Sequence, residues 1–490
     1  MAEYKHGAYG MIQATGTLES TAAANAFVYI GTAPVNQVVG GSENVNKPVL
    51  VRNIAEAKRL FGYSDEWGDF TLCEAMHAHL ELGGVGPLVL INVLDPTAHV
   101  KEQTSKSLTP QNGRVTIAGA ERIVLDSLTI TGKQPGEDYT AAYNTEKGTI
   151  VIAEAKDGSL GTQALNISFK EVDTSKVTEA TVIGSTDGYG LNTGLYCVRN
   201  VYQQTGFIPS FLLAPGFSGI PKVHEVMGKL SQKINEHWDA YMLTDIPIAD
   251  KTKGITLAAA AEWKENNGYT LENETVYFPM ASGTDGRKYH ISVLAAANLQ
   301  KLISQQDGVP YRTASSTDCA IIQNLYMGEE GKGRIFDDTL INEALNANGI
   351  ASAAFVGGRW CIWGAHSADY SKENGNTVNI SEVNRMMLYY ISNDFQHRRP
   401  KDVDQHMTAN GIQSIVAEEQ ARLDALRAMG AILHGEVALN VNGVDGSDLV
   451  NGDFTFSFQV TVMPLCKSLT ALVGWTDKGF ETYYESLEDL

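Results

Sequence analysis

SFLLAPGFSGIPKVHEVMGKLSQKINEHWDAYMLTDIP, residues 210–247, decides the fold class. It opens on an apolar run, from Ser210, that breaks at Pro215-Gly216. A segment with helical spacing of apolar residues follows from Pro221 to Trp238, and then a second apolar run, Ala240–Pro247. Short uninterrupted apolar runs are the mark of strands buried on both faces. A helix-length segment between two of them is how parallel strands are joined. The stretch therefore predicts a strand–helix–strand unit of an α/β layer.

The same grammar holds on either side. Upstream, AFVYIGTAP (Ala26–Pro34) reads as a buried strand and Asn53 as the cap of the helix IAEAKRLFG, which stops at Gly62. A second helix, Phe70 to Leu82, ends at Gly83-Gly84, and PLVLINVLD (Pro87–Asp95) is another strand. Downstream, a helix over Ile255–Asn266, the strand ETVYFPMAS (Glu274–Ser282) and a helix over Ile291–Gln305 continue the layer.

Between the two halves the texture changes. From Thr104 to Gly184 the chain reads RVTIA, RIVLDSLTITG, DYTAAYN, TIVIAEA and ALNISFKEV, short alternating segments parted by turns such as Pro135-Gly136 and Asp157-Gly158. This is the pattern of an all-β module inserted into the α/β layer. In the last third, INEALNANGI (Ile341–Ile350) predicts a helix, and AAFVGG with RWCIWGAH a strand pair. Ser381 caps the apolar helix SEVNRMMLYYISNDFQ (Ser381–Gln396). Ile412–Gly430 is a long amphipathic helix, and DFTFSFQVTVMPL (Asp453–Leu465) a long alternating strand.

The expected class is an α/β plus β multidomain protein. Residues 1–24 form an arm; 25–103 and 185–350 form an α/β core with parallel βαβ units; 104–184 form the inserted all-β domain; and 351–490 form an α+β C-terminal domain.

Composition narrows the function. With 43% hydrophobic and 19% charged residues the chain has material for sizeable cores. Its formal charge of −20 disfavours direct contact with nucleic acid. No apolar run is long enough for membrane insertion. The opening MAEYKHGAYGMIQATG lacks the basic start and apolar centre of a signal peptide, which predicts synthesis in a cytoplasm. Five scattered cysteines (Cys73, Cys197, Cys319, Cys361, Cys466) form no CxxC pair and read as buried hydrophobes.

Nothing points to catalysis. GSTDGYG (Gly184–Gly190) and GTDGRK (Gly283–Lys288) lack the phosphate-loop pattern and read as turns. His77 and His79 stand two apart, so on a helix they diverge and share no ion. No GxSxG elbow is present. No cofactor and no metal are expected.

The order of these segments resembles contractile tail sheath proteins along almost the whole chain. The strings that carry it are EYKHGAYG with FVYIGTAP, KPVLVRNIAEAKRLFG, LGGVGPLVLINVL, and FLLAPGFSG with YMLTDIP. The most specific is LNANGIASAAFVGGRWCIWGAHSADY, followed by a helix bearing Asn384-Arg385 and by RAMGAILHG. Two departures stand out: His366-Ser367 where the family often has Arg-Thr, and a stretch beyond Pro464 that includes Trp475 and Tyr483-Tyr484.

The resemblance implies a non-enzymatic subunit that polymerises with itself around a tail tube, in a virion tail, with baseplate and tail terminator proteins as further partners. It implies extended termini lent to neighbouring copies as strands. The residues assigned to that exchange are Tyr4, Tyr9 and Met11 at the start, and Phe454, Phe456, Phe458, Val460, Val462 and Leu472 at the end. The basic cluster His397, Arg398, Arg399 and Lys401 is a candidate contact with the tube or a neighbour. Two rival classes are an α/β enzyme, which needs convergent polar groups in a pocket, and a β-rich tail adhesin, in which the inserted module binds a ligand.

Overall fold

The structure, a computed structural model, describes residues 25–102, 104–250, 253–329, 332–333, 337–371, 378, 380–440, 451–480 and 483–484. Tyr4, Tyr9 and Met11 lie outside the described residues. The chain divides into two compact units, one up to His406 and one from Met407.

The first unit begins with β1 (Asn25–Gly31), whose residues Ala26–Gly31 are all buried. β2 (Pro48–Val51) and α1 (Ile54–Phe61) follow, and the Asn53 side chain accepts from the Glu56 amide at 2.9 Å, capping α1 as expected. The second helix opens as α2 (Thr71–Ala75) and passes into a π-helix, Met76–Gly83, before β3 (Leu88–Asn92).

Six strands then form two three-stranded antiparallel sheets: β4 (Thr104–Leu108), β5 (Arg114–Ala118), β6 (Thr129–Ile130), β7 (Tyr139–Asn144), β8 (Thr149–Glu154) and β9 (Leu165–Phe169). The sheet orders are β4-β9-β6 and β5-β8-β7, and Val115, Ile117, Ile150, Ile152, Ile167 and Phe169 fill a core between them. Of RIVLDSLTITG only Thr129–Ile130 is strand. Its buried residues, Ile123, Val124, Leu125, Leu128 and Ile130, do not alternate, and a 3-10 turn over Leu125–Ser127 interrupts the strand.

This module enters and leaves through one neck. Val100 bridges Val172, the Lys101 amide bonds the Glu171 carbonyl at 2.8 Å, and the Asp173 amide bonds the His99 carbonyl at 2.8 Å. Beyond the neck the chain rejoins the main body sooner than the sequence suggests. Val182 of α3 (Glu179–Ile183) is fully buried among Val28, Ile30, Leu212 and Val223, so residue 184 is not where the β module ends.

After α4 (Val201–Thr205) come β10 (Ile208–Leu213), α5 (Pro221–Leu230) and β11 (Tyr241–Asp245). α5 stops eight residues short of Trp238 because Ser231 Oγ donates to the Gly228 carbonyl at 2.8 Å and the chain then turns through left-handed Lys233, Asn235 and Glu236. A small ribbon, β12 (Ala249–Asp250) with β13 (Lys253–Gly254), precedes α6 (Leu257–Asn266). Pro279, which lacks an amide hydrogen, divides the next expected strand into β14 (Glu274–Tyr277) and β15 (Met280–Gly283). β15 pairs with β16 (Lys288–His290) and, beyond α7 (Ile291–Ser304), with β17 (Ile322–Tyr326).

α8 (Asp338–Ala344) leads through left-handed Gly349 (φ 66°) into β18 (Ile350–Val356), β19 (Arg359–Trp363) and α9 (Glu382–Arg398). A Cβ on Gly349 would sit 2.9 Å from the carbonyl oxygens of Ser367 and Tyr370, so both conformation and space demand glycine there.

Eight strands make the main sheet, in the order β19-β18-β14-β11-β10-β1-β3-β2. Neighbours are parallel except the antiparallel pairs at its two ends, β18:β19 and β2:β3. The expected boundary between residues 350 and 351 falls inside β18, which pairs in parallel with β14. Ala351 and Ser352–Ala354 are buried on both faces, so the hydrophobic pattern carries the sheet past that boundary.

The second unit is small. α10 (Ala409–Ala428), capped by Thr408, buries Ile415, Glu419, Leu423 and Leu426 along one stripe. β20 (Ile432–Leu439) and β21 (Phe456–Val462) form an antiparallel hairpin, with Ile432 and Val437 buried.

Candidate assembly surface

The strand-exchange residues at the chain's end fall in and beyond that hairpin. Phe456, Phe458 and Val460 stand opposite Leu439, Val437 and Gly435 of the same chain, and Val462 opposite Ile432. β21 is thus half of an intrachain pair and not a lone strand. The Asn440 amide bonds the Thr455 carbonyl at 2.8 Å, so Thr455, Ser457, Gln459 and Thr461 face β20 with their backbone groups. By the alternation of antiparallel ladders, Phe456, Phe458, Val460 and Val462 turn theirs to the opposite side. Phe454 precedes the strand, half-buried.

Past Val462 no regular structure is formed up to Thr476, and apolar side chains stand in solvent. Leu469 is 92% exposed, Leu472 95%, Val473 94% and Trp475 82%. Runs of exposed apolar residues are uncommon on surfaces that meet only water.

The basic cluster gathers at the C-terminal end of α9, where cations meet the negative end of the helix dipole. Its guanidiniums turn inward: Arg398 holds Asp394 at 3.1 Å and Arg399 holds Asp402 at 3.0 Å. His397 lies edge-on to Tyr202, and Lys401 is the exposed member. Both acids stand one turn away, at the i,i+4 and i,i+3 spacings that pair charges on a helix, a signal the sequence carried.

Sequence reading missed a buried polar cluster at the start of α7. His290 Nδ1 lies 2.7 Å from Glu74 Oε2, and its amide donates to Oε1 at 2.5 Å. Ser292 Oγ donates to Asp245 Oδ2 at 2.5 Å. Burial works against the His290 imidazolium, but the Glu74 and Asp245 carboxylates outweigh it and raise its pKa to about 9. Burial pushes the Asp245 carboxyl up to about 6, against the pull of His290 and Ser292. Nearby, Tyr29 Oη meets His79 Nε2 at 2.6 Å and His79 Nδ1 meets Gln300 at 2.6 Å. Burial lowers His79 to about 4, so the ring is neutral and can accept from Tyr29. His77 goes elsewhere, to Glu81 at 3.0 Å. With Glu74 1% and Asp245 6% exposed, the cluster ties α2, β11 and α7 together.

Among the described residues no group of three or more His, Cys, Asp or Glu could hold a metal ion, and no helix is long and apolar enough to cross a membrane. Gly184–Gly190 runs into a tight turn in which Asp187 accepts from the Tyr189 and Leu191 amides, each at 2.8 Å.

A tail sheath protein of Burkholderia phage BcepMu is 24% identical over 495 residues, covering 96% of each chain. The chain is similar to that tail sheath protein along nearly its whole length. Two solved sheaths share its fold at low identity. The sheath complex of an extracellular contractile injection system, in its contracted state, superposes with a TM-score of 0.56 at 10% identity, over 98% of this chain and 99% of that one. The contracted helical sheath of the anti-feeding prophage gives 0.52 at 12% identity, over 97% and 100%. No family model matches the chain.

Proposed function

We propose that the subunit polymerises around a tail tube as a helical stack of rings and shortens by rigid-body rearrangement, driving the tube through a host envelope. Contraction of this kind needs a body that keeps its shape and links that survive sliding. The first unit supplies the body. The links are terminal strands lent to adjacent copies: the arm with Tyr4, Tyr9 and Met11, and the segment after β21 with Leu472. The receiving structure is the β20–β21 hairpin, which offers one edge on each strand: the β20 edge, and the β21 edge to which Phe456, Phe458, Val460 and Val462 turn their backbone groups, with Phe454 at its entrance.

The observation that carries this reading is the exposure of Leu469, Leu472, Val473 and Trp475 directly after a two-stranded hairpin. A hairpin alone is marginal in water, and added strands stabilise it mainly through backbone hydrogen bonds, each about 1 kcal/mol net. Ten extended residues reach about 33 Å, enough to leave one subunit and enter the next. Further partners are the tube, at a surface that includes Lys401, and the baseplate and terminator proteins at the ends of the stack. The β4–β9 module stands as a peripheral domain.

Two truncations test this. Deleting residues 1–16, or residues 466–490, leaves a folded, soluble subunit that forms no ordered tubes in electron micrographs. Normal contractile particles from either deletion remove that terminus from the mechanism.

A further inference from the structure

The outer edge of β20 is closed by a side chain. Gln420 of α10 donates from Nε2 to the Gly435 carbonyl at 3.0 Å and accepts at Oε1 from the Val437 amide at 3.2 Å. One residue that bonds the carbonyl of one strand position and the amide two positions on is the repeat of a parallel ladder. The Gln420 amide therefore imitates one residue of a parallel partner strand. Gly435 makes this reach possible. A Cβ there would lie 2.9 Å from Ile432 Cδ1 and 3.1 Å from Leu423 Cβ, so the glycine lets α10 approach the strand. Gln420 is also held from behind, 3.3 Å from Asp424 Oδ1.

We infer that Gln420 is a latch on this hairpin: it occupies the β20 edge in the free subunit and yields it to an extended strand of a second copy during assembly. The guest is the exposed segment Cys466–Val473 of that copy. CKSLTALV has one charge, Lys467, and presents Leu469, Leu472 and Val473 to solvent, so it can approach an acidic chain of net charge −20 without repulsion. The latch explains how subunits carrying both an exposed strand and an edge avoid pairing before assembly begins. Native sheets commonly protect open edges in such ways. This inference rests on the strand-lending reading above and adds how the accepting edge is regulated.

The test compares the parent with Gln420→Met, which keeps the bulk and loses both hydrogen bonds, and with Gln420→Ala. Each is combined with deletion of residues 466–490 in the full-length background. Two hydrogen bonds no longer compete with the guest, so the concentration at which subunits associate, followed by sedimentation, falls about tenfold or more in Gln420→Met. The gain disappears when residues 466–490 are deleted. Unchanged association of both variants, while the deletion still abolishes tubes, overturns the latch and leaves strand lending intact. A gain that persists in the deleted chain overturns the assignment of the guest. Tubes that form normally after the deletion count against strand lending itself.

Discussion

β1, β3, β10 and β11 bury every residue from Ala26, Leu88, Ile208 and Tyr241 onward, whereas β21 alternates half-buried with exposed residues along its whole length. In the central strands, each backbone group has a neighbour strand and each face a covering layer, so shape is set within the chain. In the hairpin, one edge is met by a glutamine side chain, and the following segment leaves its apolar residues in water. Under the proposed function, the contrast is a division of labour. Rigidity comes from a sheet that is complete in one subunit, and connection comes from one that is not.

Breaking the body gives the largest effects. Glu74→Ala strands the buried His290 charge and is expected to cost the first unit about 3–5 kcal/mol in denaturant unfolding. Leu212→Ala, at a fully buried β10 position, is expected to cost about 2–5 kcal/mol, and Val460→Ala in β21 less than about 1 kcal/mol. Equal losses at the two positions would erase the distinction between closed sheet and open hairpin.

A pH titration sharpens the comparison. His290 has its folded pKa raised to about 9, above the unfolded value of about 6.5. Its stabilisation is therefore complete below pH about 6.5 and is lost as pH rises through about 9. The melting temperature of the first unit should fall across that window, and His290→Gln should flatten the fall. A slope that persists in the variant assigns it to other groups.

The smallest effect on the body is expected from removing the β module. Excising residues 104–169 with a short Gly/Ser joint leaves the neck at Val100 and Val172, whose partners already touch. What the body loses is a polar seat: Asn36 Nδ2 donating to the Glu121 and Ile123 carbonyls at 2.9 and 3.0 Å, and Arg122 paired with Glu66 at 2.9 Å. Hydrogen bonds and ion pairs of this kind contribute about 1 kcal/mol apiece, and excision opens the Asn36 amide to water, so soluble, folded protein should remain. Loss of all soluble protein would make the module part of the core.

The strand–helix–strand order was legible wherever apolar runs were continuous, as at FVYIG and FLL, because a strand buried on both faces leaves no room for polar alternation. Helix starts were legible where a capping side chain sits beside its own amide, as at Asn53 and Ser381. Ends were less so: α5 stops at a serine hydroxyl bond and a left-handed turn that helical spacing through Trp238 conceals. The surface residues were only partly legible. Phe456, Phe458, Val460 and Val462 were marked by alternation, but alternation does not say that β20 of the same chain takes one of the two edges.

Local chemistry determined the class of fold, the inserted β pattern and the exposed apolar end, since period, caps and turns act over a few residues. The Glu74–His290 pair, 216 positions apart, and the hold of Gln420 on β20 were decided only in three dimensions. Each depends on which segments the closed core brings within hydrogen-bond reach, and hydrogen bonding acts over about 3 Å of space whatever the distance along the chain.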